Sequence, residues 1–423
     1  MVLPFVALLL AIALGPLLCP SVWARHYAKI ACALGAITVA YYLLSLQAFA
    51  RILHVAHEYA GFIALIGSLF VVSGGIHINV KGQATPGVNV LYLLLGALAA
   101  NLLGTTGASM LLIRPWIRMN KYRITAHHIV FFIFIVSNVG GCLTPIGDPP
   151  LFLGYLKGIP FWWVAQHCWP MWALAVGLLL TSFYIVDAAN SRRASAEVRC
   201  RLAGSGEEWR FEGVWNIGWL LLILGAVFVK QPLFLREGLM FGAAAGSWFT
   251  TKKTIHEANQ FDFHPIQEVA ILFLGLFATM MPALDLVQAN AHRLGQPSPA
   301  LFYWGSGLLS SVLDNAPTYL AFLSATLGLL VEPQTGLVPA GEIDLGLLLG
   351  NNTLHPYLLA ISIGAVFFGA TTYIGNAPNF MVKSIADHKK VRTPGFFGFL
   401  FNYTIPYLAP LLVLIWLLFF RTR

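Results

Sequence analysis

Two apolar runs in this chain, residues 87–117 and 298–331, are too long for one membrane crossing, and polar residues with glycine or proline interrupt both midway. A helix needs about 20 apolar residues to span roughly 30 Å of hydrocarbon. Non-helical backbone at that depth is tolerated only where protein buries it or where it lines a wet cavity. Each long run therefore predicts a re-entrant hairpin that enters, turns and leaves on one side. The other apolar runs fall at about 1–19, 27–47, 58–79, 126–156, 160–186, 213–230, 237–251, 266–286, 357–386 and 402–421. They predict ten full crossings, so the expected fold is an all-α polytopic membrane protein with ten transmembrane helices, two re-entrant hairpins and two broken helices.

Composition narrows the function. A chain with 58% hydrophobic and 10% charged residues has hydrocarbon as its main solvent, and its expected partner is the lipid bilayer. The net charge of +8 does not point to nucleic acid, because the basic residues sit in short loops between apolar runs. The five cysteines form no CxxC pair, no HExxH is present, and no phosphate-binding loop suggests ATP as the driver. His127 and His128 are adjacent and are not expected to share a helix face. Neither a cofactor nor an enzymatic activity is expected. Ser-Val-Trp-Ala at 21–24 resembles a signal-peptide cleavage site, but no basic residue precedes the first run and Arg25 follows it. Run 1–19 is therefore read as a first span.

With both hairpins in place, one face receives 18 of the 25 Lys and Arg residues and the other receives 7. The richer face is cytoplasmic by the positive-inside rule. Both termini are then outside, the first hairpin opens to the cytoplasm and the second to the exterior. The expected location is the bacterial cytoplasmic membrane.

The order of elements repeats: three spans, a hairpin, a broken span, a plain span. The first unit is 1–186, with hairpin 87–117 and broken helix 126–156. A cytoplasmic linker at 187–212 follows. The second unit is 213–423, with hairpin 298–331 and broken helix 357–386. Five crossings per unit invert the second relative to the first. Inverted repeats with broken helices are a secondary-transporter architecture, with the site where the breaks meet.

The breaks carry oxygen ligands. The tips read Gly104-Thr105-Thr106-Gly107 and Asp314-Asn315-Ala316-Pro317-Thr318. The broken spans read Thr144-Pro145-Ile146-Gly147-Asp148-Pro149-Pro150 and Thr371-Thr372-Tyr373-Ile374-Gly375-Asn376-Ala377-Pro378-Asn379. A buried carboxylate is costly unless it binds a cation or a proton. Asp148 and Asp314 thus become exchange candidates, with Na⁺ expected at Asp148, Asp314 and Asn315. Thr105, Thr106, Thr144, Thr318, Thr371, Thr372, Asn376 and Asn379 are the further candidate ligands. The blander readings are helix caps for the two aspartates and satisfied tip backbone for the threonines. Asp285 and His77 end their spans at corresponding places and are candidates for proton coupling or simple interface markers. Glu58 and Glu268 read as interfacial anchors, Asn101 as a packing amide, and Arg114 and Arg118 as headgroup contacts. Trp116, Trp162 and Trp163 read as an interfacial belt.

At these residues the chain resembles the ion transporter superfamily, in particular its NhaD-type sodium:proton antiporters and the related citrate transporter family. The stretches that carry the resemblance are 138–150, Leu313 to Thr318, and 369–379. The resemblance implies a homodimer with a scaffold and a moving transport domain. In the dicarboxylate branch both tips carry Ser-Asn-Thr signatures; neither tip here does. The expected function is secondary active exchange of Na⁺ for H⁺, the alternative being cation-coupled transport of an organic anion such as citrate or a dicarboxylate.

Overall fold

The computed structural model describes residues 1–79, 85–193, 210–229, 231–295, 297–329, 349 and 355–421. Most of the expected 187–212 linker and the loop around 332–352 lie outside the described residues. Prolines in the first turn start many of the helices, where the missing N–H costs no hydrogen bond. The order is α1 Leu3–Leu18, α2 Pro20–Leu44, α3 Phe49–Gly74, β1 His77–Asn79, α4 Pro86–Met119, α5 Ala126–Ile135, α6 Pro149–Leu156 and α7 Trp163–Arg193. The second part has β2 Arg210–Glu212, α8 Asn216–Ala226, α9 Leu235–Thr250, α10 Lys253–Ala258, α11 His264–Asn290, α12 Pro299–Ser310, α13 Asn315–Gly328, α14 His355–Phe368, α15 Ala377–His388 and α16 Phe396–Phe420.

By length and composition, seven described helical stretches can cross a membrane: α2, α3, α4, Ala126–Leu143, α7, His264–Arg293 and α16. The chain is an all-α polytopic membrane protein apart from one short antiparallel pairing, Ile78 with Phe211, which the sequence reading did not anticipate. Several expected crossings are shorter than expected: run 1–19 forms α1, of 16 residues, the same length as α9. Run 213–230 forms α8, of 11 residues, and run 237–251 forms α9, of 16 residues. At 1.5 Å per residue these reach only about 16 and 24 Å, short of the hydrocarbon core. Glu237 in the first turn of α9 is buried, held by Arg236 Nη2 at 2.5 Å, so polar groups occupy what would otherwise be apolar length.

The chain reverses inside α4. Gly104 has φ +72° and ψ 155°, a conformation that glycine adopts without a Cβ penalty. Asn89 Nδ2 donates to Asn120 Oδ1 at 2.9 Å, and Tyr92 Oη donates to Leu112 O at 2.8 Å. A straight helix would hold residues 89 and 120 about 46 Å apart. Leu91, Leu95, Leu98 and Leu102 form an exposed stripe on the first limb, as expected of a surface turned to lipid. The second long run also folds back. The rings of Phe302 and Phe322 lie 5.5 Å apart, and the chain turns between Ser311 and Asp314.

Helices α5 and α14 lie at the centre. Helix α5 is buried from His127 to Ile135, and so is α14 from Leu358 to Phe368. Helices that are apolar all round belong inside a bundle. Trp116, expected at the interface, is fully buried: its ring stacks on Tyr92 and its Nε1 donates to His128 O at 3.0 Å. Trp163 is also buried, whereas Trp162 is exposed as expected of a belt residue.

Candidate functional site

Four chain breaks meet at one place. A 3₁₀ turn precedes each short helix: Val139–Leu143 before α6, Gly369–Thr371 before α15. Asp148 and Asn376 then open the helices with extended backbones, φ −142° and −151°. A threonine ties each break to its neighbouring tip. Thr144 Oγ1 donates to Asn101 O and Thr372 Oγ1 donates to Ser311 O, both at 2.6 Å. The same two hydroxyls accept from Gly147 N and Gly375 N, both at 3.1 Å. Thr105 N donates to Gly147 O at 2.7 Å, locking the first tip to the first break. A Cβ on Gly147 would lie 2.0 Å from Gly141 O, so only glycine fits there. Asn101, expected as a packing amide, bonds the 3₁₀ turn with both ends: Nδ2 to Gly140 O at 2.7 Å, and Oδ1 from Leu143 N at 2.8 Å.

This framework surrounds Asp148, which is 1% exposed. Its Oδ1 accepts from Thr105 Oγ1 at 2.8 Å and from Asn376 Nδ2 at 3.1 Å; its Oδ2 accepts from Asn315 Nδ2 at 2.6 Å. Among the described residues no Lys, Arg or His pairs with it. The other ends of both amides, Asn315 Oδ1 and Asn376 Oδ1, are buried without a hydrogen-bond partner. A buried acceptor left unpaired costs about 1–3 kcal/mol, so two beside one carboxylate call for an explanation. All the surplus valence here belongs to oxygen acceptors, the donor set of a hard cation.

The helix starts point the same way. Helix N-termini ordinarily offer N–H groups to anions. Here Pro149 and Pro150 occupy the first two positions of α6, Pro378 the second of α15 and Pro317 the third of α13. Proline has no N–H to offer. Ala316 N is already taken by Asp314 Oδ1 at 3.0 Å. The helix dipoles still favour negative charge at Asp148, but few donors are left for an external anion.

Asp314 is half-buried and caps α13. It also lines a pocket of about 10 Å³ with Thr106, Pro149, Asn376 and Ala377, room for about one water-sized species. A far larger cavity of about 970 Å³ is lined by Asp314 and Asn376 and also by Arg114, Glu268, Lys383 and Lys389. The capping and ligand readings of Asp314 are thus compatible. Arg114, expected among headgroups, faces this cavity instead, and its buried Nε has no partner.

The remaining candidates separate from this centre. Asn379 Nδ2 donates to Gly369 O at 2.8 Å and to Thr372 O at 3.1 Å. The hydroxyls of Thr318 and Thr371 donate to the backbone of their own helical turns, Asp314 O and Phe368 O. Asp285 accepts from Tyr42 Oη at 2.6 Å and pairs with Arg51 Nη2 at 2.8 Å. His77 Nδ1 lies 2.7 Å from Asn259 Oδ1, on the strand. Glu58 is buried against Lys157 Nζ at 2.5 Å, more than an interfacial anchor needs.

Two groups were not among the candidate ligands. Asn138, the first residue of the 138–150 stretch, is fully buried and links Asn376 to Asn379; an amide inside the apolar run 126–156 was the available signal. The second is Asp187, also fully buried. Arg123 grips both its oxygens, Asn89 Nδ2 donates at 2.8 Å, and His127 Nε2 and His128 Nε2 lie at 3.4 and 3.1 Å. The two histidines, not expected on one face, bring their rings within 4.1 Å. They sit in the first turn of α5, beside the Thr125 cap, where the two side chains converge on one partner. His127, His128 and Asp187 offer metal-ligand atoms within 4.8 Å of one another, but the guanidinium already neutralises the only carboxylate.

The fold is that of a polytopic membrane protein, and comparison places it among membrane transporters. The chain matches the family described as "Putative citrate transport" over residues 1–420 and belongs to that family. It is 25% identical over 318 residues to the uncharacterized transporter Rv2684 of Mycobacterium tuberculosis (strain ATCC 25618 / H37Rv), covering 71% of this chain and 69% of that protein. It is 26% identical over 209 residues to the inner membrane protein YbiR of Escherichia coli (strain K12), covering 48% of this chain and 50% of that one.

Proposed function

We propose that this transporter exchanges Na⁺ for H⁺ across the bacterial cytoplasmic membrane. The observation that carries the reading is the set around Asp148: one carboxylate that no Lys, Arg or His pairs with among the described residues, flanked by two unpartnered amide oxygens. Sodium ligated there satisfies both orphans and the charge together; a proton on the carboxylate satisfies the charge alone. One group that holds either species, never both, is the minimal device for antiport. Asp314, with Thr106 at the pocket beside it, is the second station toward the large cavity.

The architecture that goes with this reading is an inverted repeat. Residues 87–117 and 298–331 are its re-entrant hairpins, 126–156 and 357–386 its broken helices, and both termini are outside. The matched roles of Thr144 and Thr372 support the pairing of the halves. The cavity that joins Asn376 to Lys383 and Lys389 then opens toward the cytoplasm. The working unit is a homodimer.

Sodium-dependent pH change in everted vesicles tests the exchange. The expected result is a sodium response that Asp148→Asn removes; no response in the wild type from mildly acidic to mildly alkaline pH overturns it. A second reading, cation-coupled uptake of citrate or a dicarboxylate, draws support from the family description and from Arg114 in the large cavity. Accumulation of labelled citrate in proteoliposomes favours it; sodium exchange without accumulation favours antiport.

A further inference from the structure

The two orphan oxygens exist only because the amides point one way, and Asn376 is held that way by a chain of side-chain amides. The polarity starts at fixed points. Asn379 Nδ2 bonds two main-chain carbonyls, Gly369 O and Thr372 O, at 2.8 and 3.1 Å. A carbonyl accepts only, so the nitrogen end of Asn379 is assigned and its Oδ1 faces away. Asn138 Nδ2 donates to that Oδ1 at 2.7 Å and to Ile133 O at 2.8 Å. Its own Oδ1 must therefore accept, and it does, from Asn376 Nδ2 at 3.1 Å. Asn376 Nδ2 also faces Ser137 O at 3.3 Å and Asp148 Oδ1 at 3.1 Å. Three acceptors surround one NH₂, so the amide oxygen is driven to the opposite side, where it has no partner. Asn138, Asn376 and Asn379 are each at most 1% exposed, so water does not compete for these bonds.

The geometry points to Asn138 as the positioning residue of the cation site: it makes no contact with Asp148 itself but sets the direction of the Asn376 amide. This rests on the cation reading above and deepens it. With Asn138 in place the site presents acceptors alone, which suits a bare cation and repels a carboxylate. Without it the Asn376 amide loses one of its three acceptors and keeps the longer bond to Ser137 O and the one to Asp148 Oδ1, an oxygen that a bound cation also engages; the amide then turns more readily, and a turned amide offers N–H donors to the ligand. The effect falls on affinity for the cation, not on the translocation step.

The test is cation-driven current on solid-supported membranes with the full-length protein, in NaCl and LiCl, beside thermal unfolding in detergent with and without NaCl. Asn138→Leu keeps the branched outline and removes both the acceptor and the donors. Its sodium half-saturation concentration is expected to rise about 10-fold or more, with the maximal current within about threefold of wild type. Asn138→Asp keeps an oxygen toward Asn376 and, as the neutral acid that Ile133 O and Asn379 Oδ1 opposite its other oxygen require, keeps one donor as well; its half-saturation is expected within about threefold of wild type. A purely structural role predicts similar damage from both variants. Equal half-saturation in wild type and Asn138→Leu overturns the inference. If Asn138→Leu does not fold, Asn138→Asp decides alone, and a tenfold loss of affinity there overturns it. A wild type that responds to neither cation, in current or in unfolding temperature, overturns the cation reading itself, which is a different result.

Discussion

Asp148 and Asp187 are both buried carboxylates in the same half of the chain, at 1% and 0% exposure, and their surroundings could hardly differ more. Asp187 is closed electrostatically. Arg123 binds both oxygens, Asn89 fills a remaining lone pair, and two histidines stand by. The cluster joins both limbs of α4, through Asn89 and Asn120, to the end of α7. Asp148 has only neutral donors, and the same side chains that donate to it leave oxygens unsatisfied. A carboxylate with a resident guanidinium is an anchor. A carboxylate with neutral donors and surplus acceptors is a site that something else must complete.

The comparison breaks most sharply with charge removal at each place. Asp148→Asn is expected to abolish sodium-dependent exchange, by about 100-fold or more, while the protein still folds, because the change removes a desolvated charge and keeps the shape. Vesicle transport and the unfolding temperature read the two parts separately. Asp187→Asn is expected to do the reverse. It removes the carboxylate that Arg123 grips and costs about 3–5 kcal/mol of stability, seen as loss of folded protein, with sodium half-saturation unchanged in whatever folds. Equal effects of the two substitutions would erase the distinction.

Milder changes sharpen it. Asn315→Ala removes one donor and one orphan acceptor at Asp148, and a rise of about 10-fold in sodium half-saturation is expected from the loss of one charge-assisted contact. Lowering the pH should raise the sodium half-saturation, because protons compete for the same carboxylate; the limit is about tenfold per pH unit. A half-saturation that stays flat with pH would separate sodium from proton and argue for a coupled anion instead. Arg123→Lys is expected to be the smallest effect, about 1–2 kcal/mol of stability, since a lysine keeps the charge and loses the two-pronged grip.

The breaks were legible because Pro149, Pro150 and Pro378 cannot continue a preceding helix, though they can start one, and Gly147 and Gly375 just before them weaken one. The reversal at Gly104 and the turn before Asn315 were legible for the same reason, helped by runs that overfill one crossing. The partners were not. Nothing in the sequence joins Asn376 to Asp148, 228 residues away, or Asn138 to Asn379, 241 residues away. Arg114 read as a headgroup contact and Trp116 as an interfacial ring, because loop-adjacent residues look alike until the packing of α4 decides which face is buried. The convergence of His127 and His128 on Asp187 likewise depends on α7 arriving beside the first turn of α5.

The sequence by itself thus determined the solvent, the places where helices stop and the oxygen chemistry at the stops, all of which are local properties of hydrophobicity, backbone freedom and missing N–H groups. Only the tertiary structure decided which buried carboxylate is matched by a resident cation and which is left to neutral amides. That choice depends on which side chains from distant segments share one low-dielectric volume, and on which end of each amide faces inward.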